Sequence, residues 1–235
     1  MELIVNNLKK NYDKKEVIKG ASFTFKKGVI YGLIGKNGSG KTTFFNCISN
    51  ETDDYVGEIL LKNEESINKI DTSDVGYVIS TPSVPEFLTG REFLKFFLEV
   101  NEKRIKNPKT IDEYFDFLSI DEEDRDKLLK EYSHGMKNKI QMIVNIIINP
   151  NILLLDEPLT SFDVLAADDM KNILKNQKKE HITIFSTHIL ELALDLCDEI
   201  VILNNGILTL IDHKDIEVKE FKEKIISSLK ENNND

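Results

Sequence analysis

A glycine-rich segment between two apolar runs contains the residue types that bind phosphate. The segment GKNGSGKTT spans residues 35–43, directly after VIYGLI and directly before FFNCI. Its first eight residues fit the pattern G-x-x-x-x-G-K-[ST], which requires a preceding strand and a following helix. Glycines in such a loop let consecutive backbone N–H groups converge on one anion, and the start of the helix adds its positive dipole end. The loop is therefore predicted to hold the phosphates of a nucleoside triphosphate.

Single positions in this loop have separate predicted roles. Lys41 is predicted to supply a mobile positive charge for the outer phosphates, and Thr42 to supply a hydroxyl ligand for Mg²⁺. The other predicted nucleotide-binding positions belong to the same loop, and they are Gly35, Lys36, Asn37, Gly38, Ser39, Gly40 and Thr43. A glycine-rich turn with an incidental lysine is the alternative, and the full match to the pattern disfavours it.

A pair of acidic residues follows a long apolar run. In NILLLDEP the apolar residues 152–155 precede Asp156 and Glu157. A carboxylate at the end of a central strand can face the phosphate loop and hold Mg²⁺, directly or through water, and Asp156 is predicted to do so. Glu157 is predicted to be the general base that accepts a proton from the attacking water. Adjacent carboxylates repel each other, and a metal ion or a proton must relieve that repulsion.

Two short matches to guanine-nucleotide motifs are also present. DYVG at residues 54–57 matches D-x-x-G, and NKID at residues 68–71 matches N-K-x-D. A guanine-nucleotide switch protein needs a strand and a helix between such motifs, and the gaps here are too short for them. Asp54 also follows the polar segment SNETD instead of an apolar strand. We therefore reject a guanine-nucleotide switch.

The order of the motifs resembles a known family. Tyr12 is followed by GKNGSGKTT, YSHGMKNK, ILLLDEPLTSFD and FSTH, and together they look like the nucleotide-binding subunit of an ABC transporter over nearly the whole chain. YSHGMK at residues 132–137 is similar to the family signature L-S-G-G-Q, with His134 and Met136 in place of the first glycine and the glutamine. This S-H-G-M form resembles that of many exporter-type bacterial subunits.

The resemblance implies roles for further residues. Ser133 and Gly135 would cap the γ-phosphate bound by the opposite subunit, so two copies would face each other head to tail across a two-fold axis. Tyr12 would stack on adenine, and His188 would contact the γ-phosphate and keep the water and the base in place. Asp163 would touch the opposite subunit. The family therefore implies ATP and Mg²⁺ as ligands and a homodimer, or a heterodimer with a related ATPase subunit.

One position departs from the family pattern. The family has a glutamine after the VGYV strand that reaches Mg²⁺ or its water, and this sequence has Ser80 there. A serine is shorter and needs a bridging water, so Ser80 is predicted to be a weak metal contact.

The elements that position these residues follow an α/β pattern. Strand-like runs fill the first third: ELIVNNL, ASFTF, VIYGLIG and GEILL. Later apolar runs are typical of parallel strands buried on both faces: VGYVIS, NILLLDE, ITIFSTH and EIVILNNGIL. Between them lie helical periods: TGREFLKFFLEV, TIDEYFDFL, DEEDRDKLLKEY and GMKNKIQMIVNIII.

This pattern predicts an α/β core interrupted by a helical insertion. The family resemblance implies the full predicted fold, which is a P-loop NTPase (RecA-like) core with an N-terminal antiparallel β subdomain and an inserted α-helical subdomain. The chain is predicted to be a single ABC ATPase domain over residues 1–235. Its predicted parts are the core at 1–81 and 150–213, the helical subdomain at about 82–149, and a C-terminal helix and tail at 214–235.

Composition limits the partners and the location. The net charge is −10 over 235 residues, and nucleic-acid binding needs a basic face, so we expect no nucleic-acid partner. Cys47 and Cys197 are expected to be core residues in a reducing cytosol. We see no signal-peptide pattern and no apolar stretch long enough to span a bilayer. The protein is thus expected in the cytoplasm, at the inner face of the cell membrane only through a permease.

The predicted function is ATP hydrolysis that powers transport, with export favoured, through a separate integral membrane permease. That subunit is expected to dock beside Ser80 and the helical insertion. A soluble ABC ATPase is the alternative. The chain lacks the coiled-coil insertion of DNA-repair types and the tandem cassettes of translation types, which leaves iron–sulfur cluster assembly. The cargo stays open.

Overall fold

A computed structural model describes residues 1–105, 107–159, 162, 164–211, 223 and 227. The predicted C-terminal helix at 214–235 therefore lies outside the described residues, apart from Glu223 and Ser227. Among the helices of the described part, none is both long and apolar enough to cross a membrane.

Four strands near the N-terminus form an antiparallel sheet with the order β2-β1-β4-β5. They are β1 (Glu2–Tyr12), β2 (Lys15–Lys26), β4 (Val56–Lys62) and β5 (Ile67–Lys69). The first two are longer than the predicted runs. Strand β1 continues beyond the polar pair Asn6–Asn7. Asn7 has φ 49° at a break in register, and this irregularity interrupts the pairing without ending the strand.

The second sheet has six strands with the order β10-β9-β3-β8-β7-β6. Five are parallel to one another: β3 (Ile30–Ile34), β6 (Val75–Val78), β7 (Ile152–Asp156), β8 (Ile182–Thr187) and β9 (Glu199–Asn204). Every residue of β3, β7 and β8 is buried, which explains their uninterrupted apolar runs.

The run EIVILNNGIL is not one parallel strand, and that part of the prediction is wrong. It contains β9, a turn, and β10 (Ile207–Ile211), which pairs antiparallel with β9. Asn205 and Gly206 have φ values of 49° and 75°. Two consecutive positive φ values suit the tight turn of a hairpin, and Asn-Gly adopts them readily.

The helices include α1 (Lys41–Ile48), directly after the phosphate loop. The insertion contains α2 (Gly90–Val100), α3 (Ile111–Phe117), α4 (Glu122–Arg125) and α5 (His134–Ile148). Helices α6 (Val164–Gln177) and α7 (Leu190–Leu196) follow. The predicted helix DEEDRDKLLKEY is mostly wrong, since α4 ends after one turn and only a short 3₁₀ turn follows at Leu129–Glu131. Leu128 instead forms a β-bridge with Thr89, which requires extended backbone.

The two larger buried clusters flank the parallel sheet. One includes Leu3 and Phe25 of the antiparallel sheet, Phe44 of α1, and Leu154. The other joins the opposite face of the sheet to the helical insertion. Cys47 is fully buried and Cys197 is half-buried, and burial raises the pKa of the Cys47 thiol to about 11. The parallel sheet is thus covered on both faces, and its carboxyl edge is left for the site.

Candidate functional site

The phosphate loop joins the end of β3 to α1, as the motif requires. Gly40 has φ 103°, a conformation that glycine adopts without steric cost, and a Cβ there would lie 2.8 Å from Val17 Cγ1. A Cβ on Gly35 would collide with Ser39 Oγ. Ser39 Oγ itself is buried and, within the described part of the chain, has no hydrogen-bond partner. An anion held in the loop would satisfy such an atom, so the loop fits a phosphate.

The side chain of Lys41 is buried in this structure and contacts fixed oxygen atoms. Its side chain is only 7% exposed. Its Nζ donates to the carbonyl oxygen of Gly35 at 3.0 Å and lies 3.7 Å from Oε1 of Glu157. The ammonium group therefore lies between the loop and the acidic pair, where it has the oxygen partners that a buried cation needs.

Asp156 lies at the end of β7 and is 2% exposed. Thr42 Oγ1 donates to its Oδ2 at 2.7 Å, and Ser186 Oγ donates to its Oδ1 at 2.5 Å. Hydroxyl and carboxylate oxygens are ligands that Mg²⁺ prefers. In the described residues no three His, Cys, Asp or Glu side chains could hold a metal by themselves. Thr42 and Asp156 therefore fit an Mg²⁺ whose other ligands would come from nucleotide and water.

The Glu157 carboxylate lies between the side chains of Lys41 and His188. Its Oε2 is 2.6 Å from Nδ1 of His188, the first residue after β8, and its Oε1 faces Lys41. The Glu157 backbone has φ 50°, which is unusual for a residue with a side chain. Strand β8 separates β3 from β7, so the loop, the acidic pair and His188 meet at one edge of the sheet.

A cleft of about 490 Å³ opens over this edge. Its lining combines the phosphate loop with the acidic pair, Ser80 and the end of β1, and includes Tyr12, Asn37, Gly38, Gly40, Lys41, Thr42, Thr43, Ser80, Asp156 and Glu157. Tyr12 is 47% exposed at the rim of this cleft. The cleft thus brings together a ring, a phosphate loop and two carboxylates, as a nucleoside triphosphate requires.

Tyr12 has a neighbour that the sequence interpretation missed. Lys10 Nζ lies 4.9 Å from the centre of the Tyr12 ring. Lys10 is buried and donates to the Asp54 carbonyl oxygen at 2.6 Å and to its Oδ2 at 3.2 Å. Strand β1 has a break in register between Lys10 and Asn11, so regular strand alternation does not predict this pairing of Lys10 with Tyr12.

The segment YSHGMK lies on another element. Ser133 is the N-cap of α5, where its Oγ accepts the Met136 N–H at 3.2 Å. Ser133 and His134 are exposed and Gly135 is half-buried, whereas Tyr132 is buried and donates to the carbonyl oxygen of Asp124 at 2.9 Å. Among the described residues, this segment contributes nothing to the lining of the cleft.

Two further predicted site residues are Ser80 and Asp163, and the structure describes only the first. Ser80 lies just beyond β6, is exposed, and lines the cleft. Asp163 lies outside the described residues. Ser186 was not predicted, because only the pairing of β7 with β8 brings it opposite Asp156.

Comparison with known proteins gives one family. The family described as ABC transporter matches residues 18–160 of this chain. An uncharacterized ABC transporter ATP-binding protein of Methanocaldococcus jannaschii is 34% identical over 204 residues, which cover 86% of this chain and 74% of that protein.

Solved structures agree with the predicted fold. The structure of an ATP-binding subunit of an ABC transporter has a TM-score of 0.78 at 24% identity, covering 96% of this chain and 100% of that one. A dimeric ATP-binding cassette in a post-hydrolysis state, bound to ADP and Pi, has a TM-score of 0.74 at 18% identity, covering 90% and 99%. At these identities the two structures establish the fold alone, which is the predicted P-loop NTPase fold.

Proposed function

This chain belongs to the ABC transporter family as an ATPase subunit, and on that premise we propose that it works as a head-to-tail dimer that closes on two molecules of MgATP. The second subunit is another copy of this chain or a related ATPase subunit. The shared fold of a dimeric cassette supports this arrangement.

One observation carries the proposal. The N-terminus of α5, with Ser133 and Gly135, is accessible but lies outside the cleft of its own chain. A serine hydroxyl and the first N–H groups of a helix make an anion site. If that site meets a γ-phosphate, the phosphate must be one held by another polypeptide, and a two-fold axis would then complete two sites at once.

The proposed chemistry assigns a role to each residue around Glu157. Phosphate oxygens of ATP compete with the Glu157 carboxylate for Lys41, so nucleotide binding frees the carboxylate. Glu157 then accepts a proton from water as the water oxygen attacks the γ-phosphorus and the bond to the ADP oxygen breaks. His188 orients the carboxylate through the contact of its Nδ1 with Oε2. Closure of the dimer excludes bulk water and completes the charges around the phosphate.

Further residues hold the nucleotide in this proposal. Tyr12 stacks on adenine, and the loop residues 35–43 surround the phosphates. Thr42 and Asp156 would hold Mg²⁺, and Ser80 would contact it through a bridging water. The metal ion supplies positive charge against the phosphate oxygens. The proposed subdivision of the chain keeps the core at 1–81 and 150–213 and the helical subdomain at about 82–149.

We propose export through a separate integral membrane permease as the work that hydrolysis drives. The Methanocaldococcus jannaschii relative is described as an ABC transporter ATP-binding protein, which supports a role in transport. The S-H-G-M form of the signature supports an exporter of bacterial type. Phe87 and Phe96 lie in the region proposed for docking and are 79% and 57% exposed. Exposed aromatic residues are common anchors at protein interfaces. The subunit would then work in the cytoplasm, at the inner face of the cell membrane.

Replacing Glu157 by Gln tests the base and the dimer together. Loss of the carboxylate should lower the ATPase rate by about 100-fold or more, because general base catalysis contributes about 10²–10⁴-fold. ATP should still bind, so a dimer should accumulate with MgATP in size-exclusion chromatography. Glu64→Gln, in an exposed loop, is the matched control and should behave like the unmodified protein. A Glu157→Gln protein that hydrolyses ATP normally and stays monomeric would contradict the proposal.

A further inference from the structure

Ser186 is a buried hydroxyl at the centre of the site. It lies on β8, between the strand that carries the phosphate loop and the strand that ends in the acidic pair, and it is 0% exposed. Its Oγ donates to Oδ1 of Asp156 at 2.5 Å and accepts the Glu157 N–H at 3.2 Å. One hydroxyl group therefore contacts both residues of the acidic pair, once as donor and once as acceptor.

The contact with Glu157 acts on an unfavourable backbone conformation. Glu157 has φ 50°, and residues with a Cβ occupy this left-handed region only where surrounding contacts hold them. The Glu157 N–H points at Ser186 twice, toward Oγ and toward the carbonyl oxygen, each at 3.2 Å. The carbonyl oxygen stays in any variant, whereas the hydroxyl belongs to serine. The hydrogen bond to the Ser186 hydroxyl is therefore the part of this restraint that a substitution can remove.

The same restraint sets the direction of the Glu157 side chain. From this backbone the carboxylate reaches His188 at 2.6 Å and approaches Lys41 at 3.7 Å. On the Asp156 side, Ser186 holds one carboxylate oxygen and leaves the other for Thr42. We propose that Ser186 is a positioning residue that holds Glu157 in its left-handed conformation and fixes the orientation of Asp156. This inference rests on the proposed role of Glu157 as the base.

Replacing Ser186 by Ala tests the inference. We expect kcat to fall by about tenfold to a hundredfold, because a small displacement of a catalytic group has effects of that size. The KM for ATP and the affinity for ATP measured without Mg²⁺ should stay within about twofold, because the phosphate loop keeps its contacts. Ser186→Thr restores a hydroxyl on a strand that accepts β-branched residues, and it should recover most of kcat.

Controls separate positioning from general stability. Thr183→Val removes another buried hydroxyl from the same strand, away from the cleft, and should keep the kcat of the unmodified protein. If Ser186→Ala yields no folded protein, Ser186→Cys takes its place in the comparison with Ser186→Thr. Normal kcat in Ser186→Ala, an equal loss in Thr183→Val, or equal rates for the Cys and Thr variants would overturn the inference. These outcomes leave the proposed function standing, which fails instead if the unmodified protein neither hydrolyses ATP nor dimerises.

Discussion

At the scale of single residues, the acidic pair shows how two neighbours in sequence can have different surroundings. Asp156 is buried and bound by two hydroxyl groups, whereas Glu157 turns out toward Lys41 and His188. The difference comes from backbone geometry, because Asp156 is the last residue of β7 and Glu157 has a positive φ. This geometry suits Asp156 to metal binding and Glu157 to proton transfer.

Replacement of Ser80, which lines the cleft, is predicted to change ATP turnover. Ser80→Gln should change the rate of ATP turnover severalfold and shift its Mg²⁺ dependence, because a longer amide side chain would reach Mg²⁺ or its water, whereas serine would need a bridging water. The measurement is the ATPase rate across an Mg²⁺ titration. Ser83→Gln, an exposed serine of the same loop, is the control. An unchanged rate and an unchanged Mg²⁺ response in Ser80→Gln would remove Ser80 from the site.

At the scale of elements, the first turn of helix α5 is capped by a residue that also belongs to a proposed binding site. Ser133 caps the helix by accepting the Met136 N–H, and the same turn is the proposed anion site for the opposite subunit. Aspartate is as good an N-cap as serine, but its negative charge opposes a phosphate. Substitutions at this position can therefore separate the stability of the helix from the function of the dimer.

Ser133→Asp should keep the free energy of unfolding within about 0.5 kcal/mol, since the cap is retained. In the Glu157→Gln background it should abolish the dimer that forms with MgATP, as measured by size-exclusion chromatography. Ser133→Ala should instead lower the free energy of unfolding by about 1 kcal/mol, because the cap is lost.

Thr110→Asp is the control for the added charge, because Thr110 caps α3 in the same way. It should leave the dimer intact. A Ser133→Asp protein that still dimerises on MgATP would show that this helix end does not meet the phosphate of a partner.

At the scale of the whole molecule, a buried histidine that links the starts of two central strands makes the free energy of unfolding depend on pH. His181 precedes β8 and is 1% exposed, and its Nδ1 is 2.7 Å from the carbonyl oxygen of Pro150, just before β7. A carbonyl oxygen only accepts, so Nδ1 carries the proton and donates it. Burial lowers the pKa of His181 below its ordinary value of 6.5; the bond to Pro150 and the Glu180 charge oppose this shift, and Lys27 adds to it.

Because this pKa is lower in the folded state, the unfolded chain binds more protons between the folded-state value and 6.5. The stability from neutral His181 is complete above pH 6.5 and is lost as the pH falls below it. The free energy of unfolding should decrease by up to about 1.4 kcal/mol per pH unit in that range, as measured by urea denaturation.

His181→Asn keeps an N–H donor but cannot titrate, so it should flatten this dependence. The carboxyl groups with lowered pKa, such as Asp112 and Glu113, act at lower pH, since their ordinary pKa values are 3.8 and 4.5. An equal slope in the unmodified protein and in His181→Asn between pH 6.5 and 5 would contradict this role of His181.

Sequence alone determined the parts of the protein that depend on local pattern. The glycines, lysine and threonine of the phosphate loop are adjacent in the chain, so their pattern alone predicted a loop between a strand and a helix. The acidic pair follows a buried strand because a fully apolar run must be covered on both faces. The α/β fold with its helical insertion was likewise predictable from the change between apolar strand runs and helical periods.

Tertiary structure alone decided the contacts between distant segments. The pairing of β7 with β8 places Ser186 on Asp156 and His188 on Glu157, and folding of the loop directs Lys41 toward Glu157. The reversal at Asn205–Gly206 and the bridge of Leu128 with Thr89 also overrode the predicted strand and helix. The physical reason is that residue types reveal what a segment can do, whereas strand register and packing select its partners.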